Sequence, residues 1–172
     1  MIKSILNQFR NFLLFKIRYP WVKIGDHVHC QRSAFFWSPH KHIILGDYVG
    51  IGGRCIFLCD IEIGNKVLIA ADVAFLNSDD HRYDVVGKSI WDSGRGDKYK
   101  IIVEDDVWIG HGVIILTPAR IGRGSIIAAG SVINKDVPRY AIMAGVPAKV
   151  VKMRFSEEEI VEHEKILYGM GS

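Results

Sequence analysis

The chain has 172 residues, 49% of them hydrophobic and 24% charged, with a formal net charge of +3. That length supports one domain with a sizeable core, and the composition excludes wholesale disorder. The small positive balance, without a clustered Arg/Lys stripe or a base-stacking motif, argues against a nucleic-acid binder.

The opening segment, MIKSILNQFRNFLLFKIRYP, sets Ile2, Ile5, Leu6, Phe9, Phe12 and Leu13 at helical spacing. Lys3, Gln8, Arg10, Asn11 and Lys16 interrupt it, so it falls short of the ~20 apolar residues of a spanning helix. No clear small-residue cleavage site follows. The expectation is an amphipathic helix over 1–20 that caps one end of the domain with its oily face. The alternative is a peripheral membrane contact in which Lys3, Arg10, Lys16 and Arg18 meet anionic lipid.

Beyond it, a period of six governs the chain. Apolar residues return at Leu45, Ile51, Phe57, Ile63, Ile69 and Phe75, and again at Val103, Ile109, Ile115, Ile121, Ile127 and Ile133. Four residues after each except Phe75, where Asp79 stands instead, lies a small or branched one: Val49, Cys55, Ile61, Val67 and Val73, then Val107, Val113, Ala119, Ser125, Ser131 and Val137. Ile24, Cys30 and Phe36 begin a weaker, earlier stretch. Such a period fits neither a helix nor a hairpin. It fits a chain that runs one short strand, turns a corner and repeats, stacking like side chains down a common core, with glycines such as Gly52 and Gly110 easing crowded corners. The phase slips between Phe36 and Leu45 and between Phe75 and Val103, which predicts two loops leaving the coil. Cys30, Cys55 and Cys59 show neither metal spacing nor a disulfide framework, and read as small buried hydrophobes. At the C-terminus, FSEEEIVEHEKIL carries a capping-box signature at Ser156 and Glu159, predicting a short helix.

The hexads resemble the [LIV]-[GAED]-x-x-[STAV]-x repeats of the left-handed parallel β-helix acyltransferases. The stretch VWIGHGVIILTPARIGRGSIIAAGSVINKDVPRYAIMAGVPAKVVK is similar to galactoside and maltose acetyltransferases and to bacterial polysaccharide O-acetyltransferases. The resemblance implies an all-β solenoid, a left-handed parallel β-helix over 21–152. An N-terminal helical cap would occupy 1–20, an extended loop about 78–100, and a C-terminal helix and tail 153–172. It further implies acetyl-CoA as co-substrate, no metal requirement, and a homotrimer with active sites between subunits.

Acetyl transfer to an alcohol needs a base, donors aimed at the developing oxyanion, and a site that holds both substrates. By the resemblance, the base is His81, which opens the second excursion ahead of the tryptophan motif at Trp108. Asp79, Asp80 and Asp84 are candidates to orient its ring, with Asp84 and Asp79 preferred; a backbone carbonyl would serve equally. Carried over in the same way, Ala129, Asn134, Lys135, Lys149 and Lys152 are coenzyme-binding candidates, and His111, where relatives carry serine, is another. Arg54, Trp91 and Arg95 are acceptor-binding candidates, with Lys98 beside them. Two departures, His81-Arg82 in place of His-Pro and Arg54 in place of an asparagine, shift the expected acceptor from simple galactosides to a saccharide of a bacterial surface polysaccharide or glycoconjugate. The expected setting is the cytoplasm, beside the inner membrane if the N-terminal helix reaches it. The competing functions are N-acetylation of an amino sugar, acetylation of a small antibiotic or serine, a metal hydratase resembling the gamma carbonic anhydrases, and a non-catalytic scaffold.

Overall fold

The computed structural model describes residues 2–77 and 80–169, with side chains from Leu6 onward. A helix, α1 (Ile2–Phe12), runs into a turn of π-helix at Leu13–Arg18. The chain then winds in successive triplets of very short strands. These are β1 (Lys23–Ile24), β2 (His29–Cys30), β3 (Phe35–Phe36), β4 (Ile43–Leu45), β5 (Gly50–Ile51), β6 (Ile56–Phe57), β7 (Asp60–Ile63), β8 (Leu68–Ile69) and β9 (Ala74–Leu76). After a long flap they resume as β10 (Lys100–Val103), β11 (Trp108–Ile109), β12 (Ile114–Leu116), β13 (Ala119–Ile121), β14 (Ile126–Ile127) and β15 (Val132–Ile133). An antiparallel hairpin, β16 (Ala141–Gly145) and β17 (Ala148–Met153), closes the coil, and α2 (Glu157–Tyr168) follows.

Every third strand pairs in parallel, giving three faces in the orders β1-β4-β7-β10-β13, β17-β16-β14-β11-β8-β5-β2 and β15-β12-β9-β6-β3. The period of six is the cause. Each hexad supplies one strand and one corner, so its apolar position points inward at the same height in every coil. All the repeat positions named above from Leu45 to Val137 are buried, Ser125 and Ser131 included. On the third face Phe36, Phe57 and Phe75 stack with centroids 4.6 and 4.8 Å apart. That is the ~4.8 Å separation of neighbouring strands, so each ring rides on the one below without bending the ladder.

Glycine eases crowded corners, as expected. Its main task is close approach of successive coils: a Cβ on Gly110 would lie 2.7 Å from the backbone nitrogen of Ala129. The left-handed corner conformation is instead carried largely by non-glycines, with His27, Tyr48, Lys66, Asp106 and Tyr140 all at positive φ between the first and second faces. Side chains steady that corner. The N–H groups of Asp26, Asp47 and Asn65 donate to Asp47, Asn65 and Asp105 of the next coil at 2.8, 2.8 and 2.7 Å.

The first coil has no preceding coil to donate to its carbonyls, and the N-terminal helix supplies the missing donors. Asn7 and Asn11 both donate to the Val28 carbonyl, at 3.1 and 2.6 Å. Leu14, Phe15, Tyr19 and Val22 complete the plug, Phe15 and Tyr19 each meeting the Phe36 ring edge-on. The helix therefore caps the prism as expected, but with a different face. Asn7, Asn11, Leu14 and Phe15 turn inward, while Leu6, Phe9 and Phe12 face solvent. At the far end Ser156 and Glu159 form the capping box of α2, and Glu164 ties the helix back by accepting from Arg139 and, at 3.1 Å, from the Tyr140 hydroxyl. Among the described residues no helix is long and apolar enough to cross a membrane.

Candidate active site

Both phase slips fall at one corner, between the third face and the first. The larger is a flap over 77–99, fastened by Asn77. Its carboxamide oxygen accepts from Thr117 Oγ1 at 2.8 Å, and its nitrogen donates to the Asp97 carbonyl at 3.2 Å and to Asp80 Oδ1 at 3.4 Å. The flap then folds on itself. Arg82 N–H donates to the Gly94 carbonyl and Gly96 N–H to the Asp80 carbonyl, bringing His81 opposite Arg95. The Lys98 ammonium, 2.5 Å from Asp80, holds that carboxyl below its ordinary range against the opposing effect of burial.

His81 is exposed and opens onto a recess of about 410 Å³ that it lines with Arg82, Tyr83, Asp84, Gly96 and Asp97. Arg95 Nη1 lies 3.1 Å from His81 Nε2. A guanidinium only donates, so this contact makes Nε2 the acceptor and leaves the proton of a neutral ring on Nδ1. Asp84 pairs with Arg82 at 3.2 Å, and Asp79 lies outside the described residues. Trp91 stands far out on the flap at 87% exposure, in the company of exposed Tyr83, Val86 and Ile90.

Two of the coenzyme candidates, His111 and Ala129, lie on another corner. Gly110, His111 and Gly112, and one coil on Ala128, Ala129 and Gly130, form the corner between the second and third faces. Gly112 and Gly130 are at positive φ, and a Cβ on either would meet nothing within 4 Å among the described residues, so the backbone there is open to a ligand arm. Ala129 and His111 are exposed. Lower on the same corner Arg54 grips Asp72 with both Nε and Nη2, at 2.7 and 2.6 Å, and His111 Nδ1 lies 3.5 Å from the same carboxylate. The Arg54 hydrogen bonds hold Asp72 below its ordinary range. Lys149 and Lys152 are exposed on β17, beside Ala144 and Ile142 of β16. Asn134 and Lys135 are exposed at the turn after β15, on the corner that also bears the flap. The third face thus separates His81 and Arg95 from Arg54, His111 and Ala129 in one chain.

Two features escaped the sequence reading. Asn77 is one, since nothing in its neighbours marks it as an anchor. The other is a polar network in the smaller insertion. Buried Asp60 accepts from Ser38 Oγ and from His40 Nδ1, each at 2.5 Å, and His42 and Lys100 converge on Glu62 at 2.7 and 2.8 Å. Burial acts to raise Asp60, but the Ser38 and His40 hydrogen bonds outweigh it and the net displacement is downward. A polar-rich SPHKH loop opposite a strand that begins with aspartate was the available signal. Among the described residues, no group of three His, Cys, Asp or Glu side chains is placed to hold a metal ion.

A parallel solenoid of three-strand coils, interrupted by a short insertion and by a longer flap that bears His81, is the left-handed β-helix of the acyltransferases. Residues 100–135 match the bacterial transferase hexapeptide (six repeats) family. The galactoside O-acetyltransferase of Lactococcus lactis is 30% identical over 146 residues, covering 83% of this chain and 69% of that protein. A probable acetyltransferase of Mycobacterium tuberculosis is 35% identical over 135 residues, 77% of this chain; the match spans only 44% of that longer protein. A hexapeptide-repeat-containing acetyltransferase from Vibrio cholerae superposes with a TM-score of 0.69 at 28% identity, over 83% of this chain and 80% of its own, and that enzyme has also been solved with acetyl coenzyme A. The chain belongs to the hexapeptide-repeat acetyltransferases.

Proposed function

We propose that this protein transfers an acetyl group from acetyl-CoA to a hydroxyl of a saccharide or surface-glycoconjugate precursor, in the cytoplasm, with His81 as general base. The observation that carries the reading is the imidazole at the mouth of a polar recess on a flap fastened to the coil. Arg82, Tyr83, Asp84 and Asp97 around it suit an acceptor rich in hydroxyls. The acceptor displaces Arg95 from His81 Nε2, and that nitrogen takes the hydroxyl proton as oxygen attacks the thioester carbon. The carbon–oxygen bond forms, the carbon–sulfur bond breaks, and the proton passes from His81 to the leaving thiolate. Acetyl-CoA supplies the activated acyl group. The open corner at Gly112 and Ala129 would receive its pantetheine arm, with His111 beside it. Asn134, Lys135, Lys149 and Lys152 would serve the phosphates.

The separation of His81 from the coenzyme corner supports a homotrimer in which one copy's flap completes its neighbour's site. The apolar flap tip at Val86, Ile90 and Trp91 supports the same arrangement, since it would be covered there. The test is an acceptor screen that reads coenzyme A release and the mass of the product, with matched alcohol and amine acceptors. Acetylated saccharide hydroxyls are expected; turnover confined to amines would overturn the acceptor class.

A further inference from the structure

The N-terminal helix is bound to the prism through its polar side, and that orientation leaves its apolar side bare. Asn7, Arg10 and Asn11 face the first coil, the two amides bonded to the Val28 carbonyl and the guanidinium against His29. On the opposite side Leu6, Phe9, Phe12 and Ile17 are 60, 62, 55 and 62% exposed. Leu6, Phe9 and Phe12 are spaced three apart on α1, so their side chains form one stripe, and exposed Ile17 follows in the π-helical turn. Lys16 and Arg18 are exposed at its end.

Charge says what the stripe meets. Residues 1–25 contain five basic residues, Lys3, Arg10, Lys16, Arg18 and Lys23, and no Asp or Glu. All 19 acidic residues lie beyond Gly25, where they outnumber the remaining basic ones. The basic excess of the whole chain therefore resides in the segment that carries the bare apolar stripe. A second copy docked stripe to stripe would bring two such cationic segments together, which like-charge repulsion disfavours. An anionic bilayer surface satisfies both properties at once: it takes the apolar side chains at the acyl boundary and the ammonium and guanidinium groups at its headgroups.

We propose that α1 docks this protein in the plane of an anionic lipid surface, with Leu6, Phe9, Phe12 and Ile17 inserted and Lys16 and Arg18 at the headgroups. The helix needs no rearrangement to do so, because the contacts that hold it to the prism use its other side.

The test is co-sedimentation of the full chain with vesicles of equal parts phosphatidylglycerol and phosphatidylcholine, against vesicles of phosphatidylcholine alone. Binding to the mixed vesicles is expected to be at least about tenfold stronger and to weaken with salt. Phe9→Glu with Phe12→Glu should abolish it, with the thermal melt and the mass by light scattering unchanged. Lys16→Glu with Arg18→Glu leaves the stripe intact and should cost the anionic preference alone, which keeps the proposal testable if the first pair fails to fold. Absence of sedimentation with anionic vesicles overturns the proposal, as does binding that both variants retain. A fall in assembly mass in the phenylalanine variant, without lipid binding by the parent, would assign the stripe to another copy instead. None of these readouts depends on acetyl transfer.

Discussion

Replacing Asn77 with alanine should release the flap without touching the recess. The side chain holds the flap base through a 2.8 Å bond from Thr117 Oγ1 and a 3.2 Å bond to the Asp97 carbonyl; the 3.4 Å contact to Asp80 adds little. At a net ~0.5–1.5 kcal/mol each, the two shorter bonds bias the flap toward its ordered form by about 1–3 kcal/mol. That corresponds to a factor of roughly 5 to 150 in the ordered-to-open ratio. Asn77 is not among the recess-lining residues, so it acts by positioning His81. Two readouts follow for Asn77→Ala. Tryptic cleavage at Arg82, Lys88 or Arg95 should accelerate by a factor in that range, because the open form is what a protease sees. Turnover should fall about tenfold or more while the KM for acetyl-CoA stays within about twofold, since the corner proposed for the pantetheine arm, at Gly112 and Ala129, lies on the other side of the third face. Unchanged cleavage would refute the fastening. An acetyl-CoA KM that rises in step with the loss of turnover would refute the separation of the two half-sites.

Other expectations concern the coil itself. Phe57→Ala removes the middle ring of the Phe36–Phe57–Phe75 stack and should destabilise the protein by about 3–5 kcal/mol, lowering the midpoint of a thermal melt by roughly 10 °C. Gly110→Ala drives a methyl group against the Ala129 backbone and should cost about 1–3 kcal/mol in a urea melt, although alanine is elsewhere the better residue. Asp60→Asn should cost about 1–3 kcal/mol at pH 7, because Ser38 and His40 lose their carboxylate. The folded Asp60 titrates below its unfolded value of about 3.9, so its contribution is present above that pH and is lost as pH falls through the lower, folded value. Urea melts of the two proteins from neutral pH down to about pH 2.5 should therefore converge; a gap that widened with acid would contradict the assignment.

How much of this was legible in the sequence follows from what a period can encode. The hexads dictated which residues point inward, and Leu45 through Val137 are buried as that pattern requires. The slips after Phe36 and Phe75 located both insertions at the right places. Periodicity carries no information about corners, so the left-handed conformations of Tyr48, Lys66 and Arg54 went unmarked by glycine. It was also silent on which side of an amphipathic helix faces inward. The apolar stripe from Leu6 to Phe12 suggested a buried face, but the unpaired Val28 carbonyl at the start of the coil is better met by the amides of Asn7 and Asn11. At the candidate site, the flap was visible from the break in the repeat, and the family resemblance singled out His81 on it. The contact of His81 Nε2 with Arg95, fourteen residues further along the chain, was not visible. Such pairing depends on how the flap folds back, which local spacing does not specify.

The role of His81 is tested most directly by the turnover of His81→Ala with acetyl-CoA and a saccharide acceptor identified by the screen. The variant should retain the parent's assembly mass and bind acetyl-CoA as the parent does, because the proposed coenzyme corner is built from other residues. With the proposed base gone, kcat should drop by about 10²- to 10⁴-fold. A properly assembled His81→Ala protein that turns over within a few-fold of the parent would contradict the account.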